Sequence, residues 1–268
     1  MSSSNFSAFD GDGYELQNGR WSRRLAPPFI DFAGIQAANK VLDVGCGTGI
    51  LSSSLGQNSR IGSVHGVDFS PAYIEYAQRL KENPRVSFEV GDACALPFPD
   101  ASFDHTLSML VLQFIPTAAL AISEMRRVTR PGGTVAAAVW DTRGGFVAYR
   151  MFFDTAATLD PAAQERRRRA YTRPLTRPGE LLNAWQEAGL ENVSQVMLTI
   201  RMDFASFADL WTPHEGKEGP IADYVRTLTP KMKTRIRSAV ERAYLDGEPD
   251  GPRSYAATAW AVKGTVPD

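Results

Sequence analysis

The stretch that decides the fold is VLDVGCGTGI at residues 41–50. Its first four residues are mostly apolar and β-branched, which is typical of a buried strand. The glycines that follow remove side chains from a turn, so the backbone can adopt positive φ and a ligand can lie directly against it. These glycines are Gly45, Gly47 and Gly49. Residues 50–56 are expected to begin a helix whose free N–H groups face that ligand.

A second apolar run, VHGVD at residues 64–68, ends in an acidic side chain eighteen residues after Ile50. Asp68, at the tip of this strand, is well placed to accept two hydrogen bonds from the hydroxyls of a ribose. Strand, glycine turn, helix, strand and acid together predict a nucleoside-binding βαβ unit. The alternative is a tight turn that closes a βα unit and binds no ligand.

The spacing of the glycines indicates which nucleoside this is. The dinucleotide-binding fingerprint is G-x-G-x-x-G, whereas this turn has G-x-G-x-G, with Asp43 two residues before its first glycine. An acid at this point repels a pyrophosphate but attracts an ammonium or sulfonium group. The pattern therefore favours S-adenosylmethionine over NAD. A nicotinamide-dependent oxidoreductase remains the alternative.

Four ordered motifs carry a family resemblance, which covers roughly residues 40–140. They are DVGCGTG (43–49), VDFSPAYIEYAQ (67–78), GDACALPFPDASFD (91–104) and RRVTRPGGTVAAAVWD (126–141). Together they resemble a class I S-adenosylmethionine-dependent methyltransferase, and within that superfamily the group that acts on small molecules and quinones. The resemblance implies a Rossmann-like sheet of seven strands, of which only the last runs antiparallel.

Apolar runs and helical periodicity alternate along the chain, which predicts an α/β fold with a mostly parallel sheet and helices on both faces. The predicted strands are 41–44, 63–67, 86–90, 103–110 and 134–140, and the predicted helices are 50–56, 71–81, 117–129 and 178–188. Strands 193–201 and 255–262 are expected to complete the sheet as an antiparallel hairpin.

We divide the chain into an N-terminal segment, residues 1–39, and a methyltransferase domain, residues 40–268. The first twenty residues are expected to be mobile, and a helix is expected over 21–38 with Pro27 and Pro28 near its start. Two insertions, about 141–177 and 202–254, are too long for structureless loops. They contain helix-like segments, 146–159 and 221–244. We interpret them as a helical cap over the carboxyl ends of the strands, where ligands bind in such sheets.

The resemblance assigns further cofactor-binding residues. Phe69 would lie on the adenine, Asp92 would accept from its amine, and the Ala93 backbone would contact the ring. Met109, Leu110 and Gln113 follow the fourth strand, where relatives line the methionine portion. Cys46 completes the glycine turn, where it need only be small. Two alternatives stay open: Asp68 as a helix N-cap, although Ser70 is better placed for that role, and Asp92 as a solvated turn acid.

Two further groups of residues have more weakly supported roles. In the N-terminal segment, Arg20 could pair with the methionine carboxylate and Trp21 could cover the sulfonium through a cation–π contact. A solvated charge and a packed tryptophan explain the same residues equally well. In the helical cap, His214 is the histidine free to face substrate and is our candidate base, with a surface histidine as the alternative. Many relatives have an aromatic or histidine pair where this chain has Gln113-Phe114, and this departure argues against a histidine-dependent mechanism at that pair.

Bulk properties exclude several classes of function. The net charge is −1, so the run of four arginines at 166–169 is better explained as a solvated helix face than as a nucleic-acid site. The two cysteines give neither metal-ligand spacing nor a disulfide framework, and no metal site is expected. The amino-terminal residues lack the pattern of a signal peptide. We expect a cytoplasmic monomer or homodimer that has no membrane or nucleic-acid partner.

The leading hypothesis is methyl transfer from S-adenosylmethionine, by direct displacement, to a small and largely apolar or aromatic acceptor enclosed by the helical cap. Six aromatic residues of the cap motivate the apolar acceptor, although several must belong to the core: Phe146, Tyr149, Phe152, Phe153, Trp211 and Tyr224. The alternatives are a protein that binds the cofactor without chemistry, or an RNA or protein methyltransferase.

Overall fold

A seven-stranded sheet in the order 3-2-1-4-5-7-6 runs through the molecule. The computed structural model describes residues 4–6, 8–35 and 38–268. The strands are β1 (Ala38–Val44), β2 (Ile61–Asp68), β3 (Val86–Val90), β4 (Phe103–Met109), β5 (Thr129–Trp140), β6 (Glu191–Phe204) and β7 (Arg253–Thr265). Only β7 runs antiparallel to its neighbours, β5 and β6. The predicted fold class and the antiparallel last strand are therefore confirmed.

The alternation of side chains along β1 explains why helices cover both faces of the sheet. Val41 packs into one apolar cluster, whereas Leu42 and Val44 pack into the other. All three side chains are fully buried, as expected for a central parallel strand covered on both faces. The helices outside the insertions are α1 (Gly11–Tyr14), α2 (Arg20–Ala33), α3 (Ile50–Gly56), α4 (Pro71–Leu80), α5 (Ala118–Val128) and α8 (Glu180–Glu187).

The N-terminal segment differs from the expectation for it. Helical structure begins at Gly11, continues through a π-helical turn at Glu15–Gly19 and ends at Ala33. Pro27 and Pro28 consequently lie inside α2 rather than near its start, because the helix extends upstream over residues that were expected to be mobile. It ends where Gly34 adopts φ +78°, a common end to a helix. The predicted end of the helix at residue 38 is wrong, since Ala38 begins β1, and residues 36 and 37 lie outside the described residues.

Both insertions are helical. The predicted helix 146–159 forms as one helix, whereas the predicted helix 221–244 is divided into two. The first insertion contains α6 (Val147–Ala157) and α7 (Pro161–Tyr171), and the second contains α9 (Phe207–Trp211), α10 (Pro220–Val225) and α11 (Pro230–Leu245). Two of these helices, α7 and α11, begin where a capping side chain precedes a proline. Asp160 accepts from the Ala162 N–H, and Thr229 accepts from the Met232 N–H. Over the described ranges, no helix is long and apolar enough to cross a bilayer.

Candidate functional site

The glycine turn between β1 and α3 is held in a conformation that side chains would disrupt. Gly45, Gly47 and Gly49 have φ values of +75°, +54° and +87°. A Cβ atom on Gly45 would lie 2.4 Å from Cγ2 of Val111, and one on Gly49 would lie 2.7 Å from Cζ of Phe88. The N–H groups of Gly45 and Cys46 both donate to the Val67 carbonyl, at 2.7 and 3.0 Å. The turn is therefore fixed to the end of β2.

Asp68 lies at the end of β2, against this turn, and is 6% exposed. Its Oδ2 accepts from the Gly47 N–H at 3.0 Å, and its Oδ1 accepts from the Ser70 N–H at 2.9 Å. Burial raises the pKa of Asp68 to about 6. Ser70, not Asp68, is the N-cap of α4, since its hydroxyl accepts from the Tyr73 N–H. Each Asp68 oxygen can accept a further hydrogen bond, as the predicted ribose contact requires.

Asp43 is a second buried acid beneath the turn, 1% exposed. Its carboxylate accepts a hydrogen bond of 2.6 Å from the Ser52 hydroxyl of α3. Burial, together with the nearby charge of Asp68, raises the pKa of Asp43 to about 7. Burial also raises the pKa of the Cys46 thiol well above its usual range, so Cys46 is a protonated packing residue.

A cavity that is open to solvent extends from the glycine turn to the helical cap. All of the predicted site residues line it except Gly49, which packs against Phe88, and Asp92. The lining residues among them are Arg20, Trp21, Asp43, Gly45, Cys46, Gly47, Asp68, Phe69, Ala93, Met109, Leu110, Gln113 and His214. The lining thus runs from the residues of the glycine turn to those of the helical cap, and both groups of residues face the same cavity.

Asp92 has a local structural role next to the cavity. Its Oδ1 accepts from the Cys94 N–H at 2.9 Å, and its backbone pairs with Ala95 in an isolated bridge. The residues on either side of it, Gly91 and Ala93, both line the cavity. Its predicted contact with an adenine amine stays a prediction.

Arg20 already has an acidic partner within the chain. Its Nη1 donates to both carboxylate oxygens of Asp209 in the helical cap, at 2.9 and 3.1 Å. The guanidinium also lies 4.1 Å from the ring centroid of Trp21 and 5.0 Å from that of Phe204. Arg20 therefore joins the N-terminal segment to the cap. A ligand carboxylate that binds Arg20 would have to share the guanidinium with Asp209.

The segment after β4 exposes polar backbone and side-chain groups to the cavity. Leu110 adopts φ +67°, unusual for a residue with a side chain, and the Gln113 amide donates to its carbonyl at 3.1 Å. Gln113 is 2% exposed, and its Oε1 has no hydrogen-bond partner within the described part of the chain. A buried acceptor without a donor is costly, so this atom is suited to a donor on a ligand.

The six cap aromatics separate into two groups. Phe146 and Tyr149 line the cavity, with their ring centroids 5.3 Å apart in a stacked arrangement. The other four belong to the core that holds the two insertions together: Phe152, Phe153, Trp211 and Tyr224. The sequence cannot separate these groups, because all six occur in helix-like segments with a similar apolar pattern, although Phe146 itself lies just before α6.

His214 lines the cavity on a short 3₁₀ turn, Thr212–Glu215, and is half-buried. Burial lowers its pKa to about 3, so the imidazole is neutral near pH 7. The Gln17 amide nitrogen, a donor, lies 3.3 Å from its Nδ1, which leaves the proton on Nε2. In this arrangement His214 presents an N–H to its surroundings. Rotation of the Gln17 amide would reverse the tautomer and free Nε2 to act as a base.

Residues distant from the motifs also contribute to the site. The N-terminal segment supplies several lining residues, among them Phe6, Tyr14 and Gln17, and the ring of Phe6 lies 4.8 Å from that of Phe114. Glu218 of the cap, 1% exposed, accepts from the Phe9 and Asp10 N–H groups at 2.7 and 2.6 Å. It also accepts from the Tyr73 hydroxyl at 3.0 Å. No local pattern in the sequence marks these contacts.

The four arginines of residues 166–169 lie on α7, where three of them form ion pairs with acidic side chains. Arg168 and Arg169 pair with Glu165 at 2.9 and 2.8 Å, and Arg167 pairs with Asp154 at 3.2 Å. Among the residues that the structure describes, no group of three or more histidine, cysteine or acidic side chains could hold a metal ion.

Comparison with known proteins identifies the part of the chain that resembles them. A family described as methyltransferase domain matches residues 42–137. A demethylmenaquinone methyltransferase of Beutenbergia cavernae is 36% identical over 113 residues, 42% of this chain and 45% of that protein. A malonyl-[acyl-carrier protein] O-methyltransferase of Erwinia pyrifoliae is 38% identical over 122 residues, 44% of each chain. The chain thus spans less than half the length of these relatives.

A solved structure extends the similarity of fold beyond that segment. Phosphoethanolamine N-methyltransferase 2 of Haemonchus contortus, in complex with phosphomonomethylethanolamine and S-adenosylhomocysteine, superposes with a TM-score of 0.61 at 17% identity. The match covers 96% of this chain and 57% of that one. At this level of identity the comparison establishes the fold and leaves the acceptor undetermined.

Proposed function

We propose that this chain, a class I S-adenosylmethionine-dependent methyltransferase by its motifs and fold, transfers a methyl group to a small-molecule acceptor. The observation that carries the proposal is the single cavity that joins the glycine turn and Asp68 to the aromatic helical cap. One end of it has the features of a nucleoside site, and the other has the features of an apolar binding site.

The residues at the turn fit S-adenosylmethionine. Gly45 and Gly47 line the cavity without side chains, so a ligand can lie directly against the backbone of the turn. The Asp68 carboxylate has remaining acceptor capacity for ribose hydroxyls, and Gln113 Oε1 is available for the ammonium of the amino acid portion. Asp43 is an acidic side chain beneath the turn, and a negative charge there suits a cationic ligand better than a pyrophosphate.

The cofactor supplies a methyl group on a positively charged sulfur, which departs as a neutral thioether. The protein therefore contributes alignment and exclusion of water more than proton transfer. The N-terminal segment covers the cavity and is held to the cap by Arg20 and Glu218. We propose that His214 contacts the acceptor. It would act as a donor in the tautomer shown, and as a base only if the Gln17 amide rotates.

Two observations support a small, largely apolar acceptor. The wall of the cavity at the cap consists mainly of aromatic and aliphatic side chains, including Trp140, Phe146 and Ile221. One of the relatives described above is named for demethylmenaquinone, an apolar quinone. The arginine run on α7 is largely paired with acids, which gives no support to an RNA acceptor.

The test is incubation of the purified protein with S-adenosylmethionine labelled in the methyl group and a metabolite extract. We expect label in the small-molecule fraction, and loss of that label in Asp68→Ala. The control is Asp100→Ala, because Asp100 is exposed and lies outside the cavity. Label found only in RNA or protein would refute the small-molecule acceptor. Binding of S-adenosylhomocysteine without transfer to any acceptor would favour a binding protein instead.

A further inference from the structure

Part of the cavity wall at the cap is a continuous set of side chains with one charged member. The ring of Phe146 lies 4.9 Å from that of Trp140 and 5.3 Å from that of Tyr149. Arg173, from the segment between α7 and α8, lies beside Tyr149, and its guanidinium carbon is 4.5 Å from the ring centroid of Phe114. All of these side chains line the cavity.

Arg173 differs from the other arginine of the cavity in its partners. Arg20 is paired with Asp209, whereas Arg173 forms no ion pair with any residue in the ranges the structure describes. Its polar neighbour is the hydroxyl of Tyr149, whose pKa is raised by burial and which stays a neutral phenol. A guanidinium held among aromatic rings without an acid is suited to an anionic ligand, because it is already partly desolvated.

We propose that Arg173 binds a carboxylate on the methyl acceptor, while Phe146 and the neighbouring aromatic rings pack against its apolar part. The proposal rests on the function proposed above and narrows its substrate class to apolar or aromatic carboxylic acids. The planar guanidinium matches a carboxylate, with two parallel N–H···O bonds. The Tyr149 hydroxyl can donate a third hydrogen bond to the same group.

The location of Arg173 assigns it to the acceptor. It comes from the first insertion of the cap, and its described contacts are Phe114 and Tyr149, not residues of the glycine turn. Arg166 adds a second positive charge near Tyr149. A carboxylate at this position would leave the reacting part of the acceptor free to extend along the cavity.

The test measures binding, so that it does not depend on turnover. The probes are 3-phenylpropanoate and its neutral isostere 3-phenylpropanamide, titrated by ligand-observed NMR into protein saturated with S-adenosylhomocysteine. We expect the wild type to prefer the acid by about tenfold or more, and Arg173→Gln to lose that preference while binding the amide unchanged. Arg173→Lys should retain part of it. The matched control is Arg177→Gln, an exposed arginine paired with Glu180 outside the cavity.

Two outcomes would overturn the proposal. The first is equal affinity of the wild type for acid and amide. The second is weakened binding of S-adenosylhomocysteine in Arg173→Gln, which would assign the arginine to the cofactor. The protein could also prefer the acid and yet transfer a methyl group to no acceptor. That result would refute the proposed function but support the carboxylate site.

Discussion

Gly45 combines two requirements at one residue, a positive φ and a close approach to Val111. Gly132 has nearly the same φ, +72°, but nothing lies within 4 Å of the position that its Cβ would occupy. We expect Gly132→Ala to lower the free energy of unfolding by about 1–2 kcal/mol, the cost of left-handed backbone alone. Gly45→Ala should lower it further and weaken S-adenosylhomocysteine binding at least a hundredfold.

The measurements for this pair are urea unfolding and isothermal titration calorimetry. Because the two variants share the backbone strain, their difference isolates the collision at the turn. If Gly45→Ala and Gly132→Ala bound S-adenosylhomocysteine with the same affinity, the turn would not be the cofactor site.

Asp43 gives a prediction about pH. Its pKa of about 7 means that the carboxyl group is protonated at pH 5.5 and ionised at pH 8.5. The ionised form attracts the sulfonium of S-adenosylmethionine, which S-adenosylhomocysteine lacks. We expect the affinity ratio of the first ligand to the second to rise about tenfold between these pH values, if sulfonium binding lowers the pKa of Asp43 by about one unit.

Asp43→Asn should abolish this rise in the affinity ratio, measured by calorimetry with both ligands at both pH values.

The raised pKa of Asp43 also affects the stability of the unliganded protein. A buried acid with a raised pKa contributes stability below its unfolded value, near 4, and loses that contribution as the pH rises through about 7. Relative to the wild type, Asp43→Asn should therefore be more stable at pH 8.5 than at pH 5.5. An unchanged affinity ratio in the wild type would contradict the role of Asp43.

At the scale of single residues, the sequence predicts what is local. The glycine turn and Asp68 follow from their spacing alone, since each requirement is met within a few residues of a strand end. Arg173 and Glu218 could not be predicted, because their roles depend on contacts with Tyr149 and the N-terminal segment, far away along the chain. Arg20 could be placed at the cavity, but its partner Asp209 could not.

At the scale of elements, the buried Glu218 holds the N-terminal segment in place through two backbone N–H groups and the Tyr73 hydroxyl. Glu218→Ala leaves those donors without partners, so we expect a loss of about 1–3 kcal/mol in the free energy of unfolding. Hydrogen exchange at the Phe9 and Asp10 amides should accelerate, and S-adenosylhomocysteine should dissociate faster.

The control for the Glu218 variant is Glu248→Ala, because Glu248 is 71% exposed in its side chain and forms one ion pair, with Arg253. Surface pairs of this kind contribute roughly 0–1 kcal/mol. Unchanged exchange at both amides in Glu218→Ala would show that the segment is held by other contacts.

The helices of the insertions show why element boundaries were harder to predict than the sheet. Several strands of the sheet contain short apolar runs, such as residues 135–140 of β5, and the length of such a run distinguishes it from a helix. In the second insertion a single helix is predicted over 221–244, but α10 ends at Val225 and α11 begins at Pro230, where the Thr229 side chain caps it. Pro27 and Pro28 lead to a different error: they suggest the start of a helix, but they lie inside a helix that begins upstream of them.

At the scale of the whole molecule, the cofactor should stabilise the fold. A ligand at one hundred times its dissociation constant adds about 2.7 kcal/mol to the free energy of unfolding. For a chain of this size the melting temperature should rise by roughly 5–10 °C. We expect this rise with S-adenosylhomocysteine and no rise with NADH, measured by differential scanning calorimetry. A rise with NADH alone would overturn the choice of cofactor.

The pairing of β6 with β7 has a consequence for the design of new specificities. Phe204 at the end of β6 pairs with Arg253 at the start of β7, so residues 205–252 connect two adjacent strand ends. Because closure entropy grows slowly with length, this stretch could be transplanted between relatives as a cassette without altering the strand register. Asp209 and Glu218 lie within it and bind residues 9–20, so a working graft must carry that amino-terminal piece along with it.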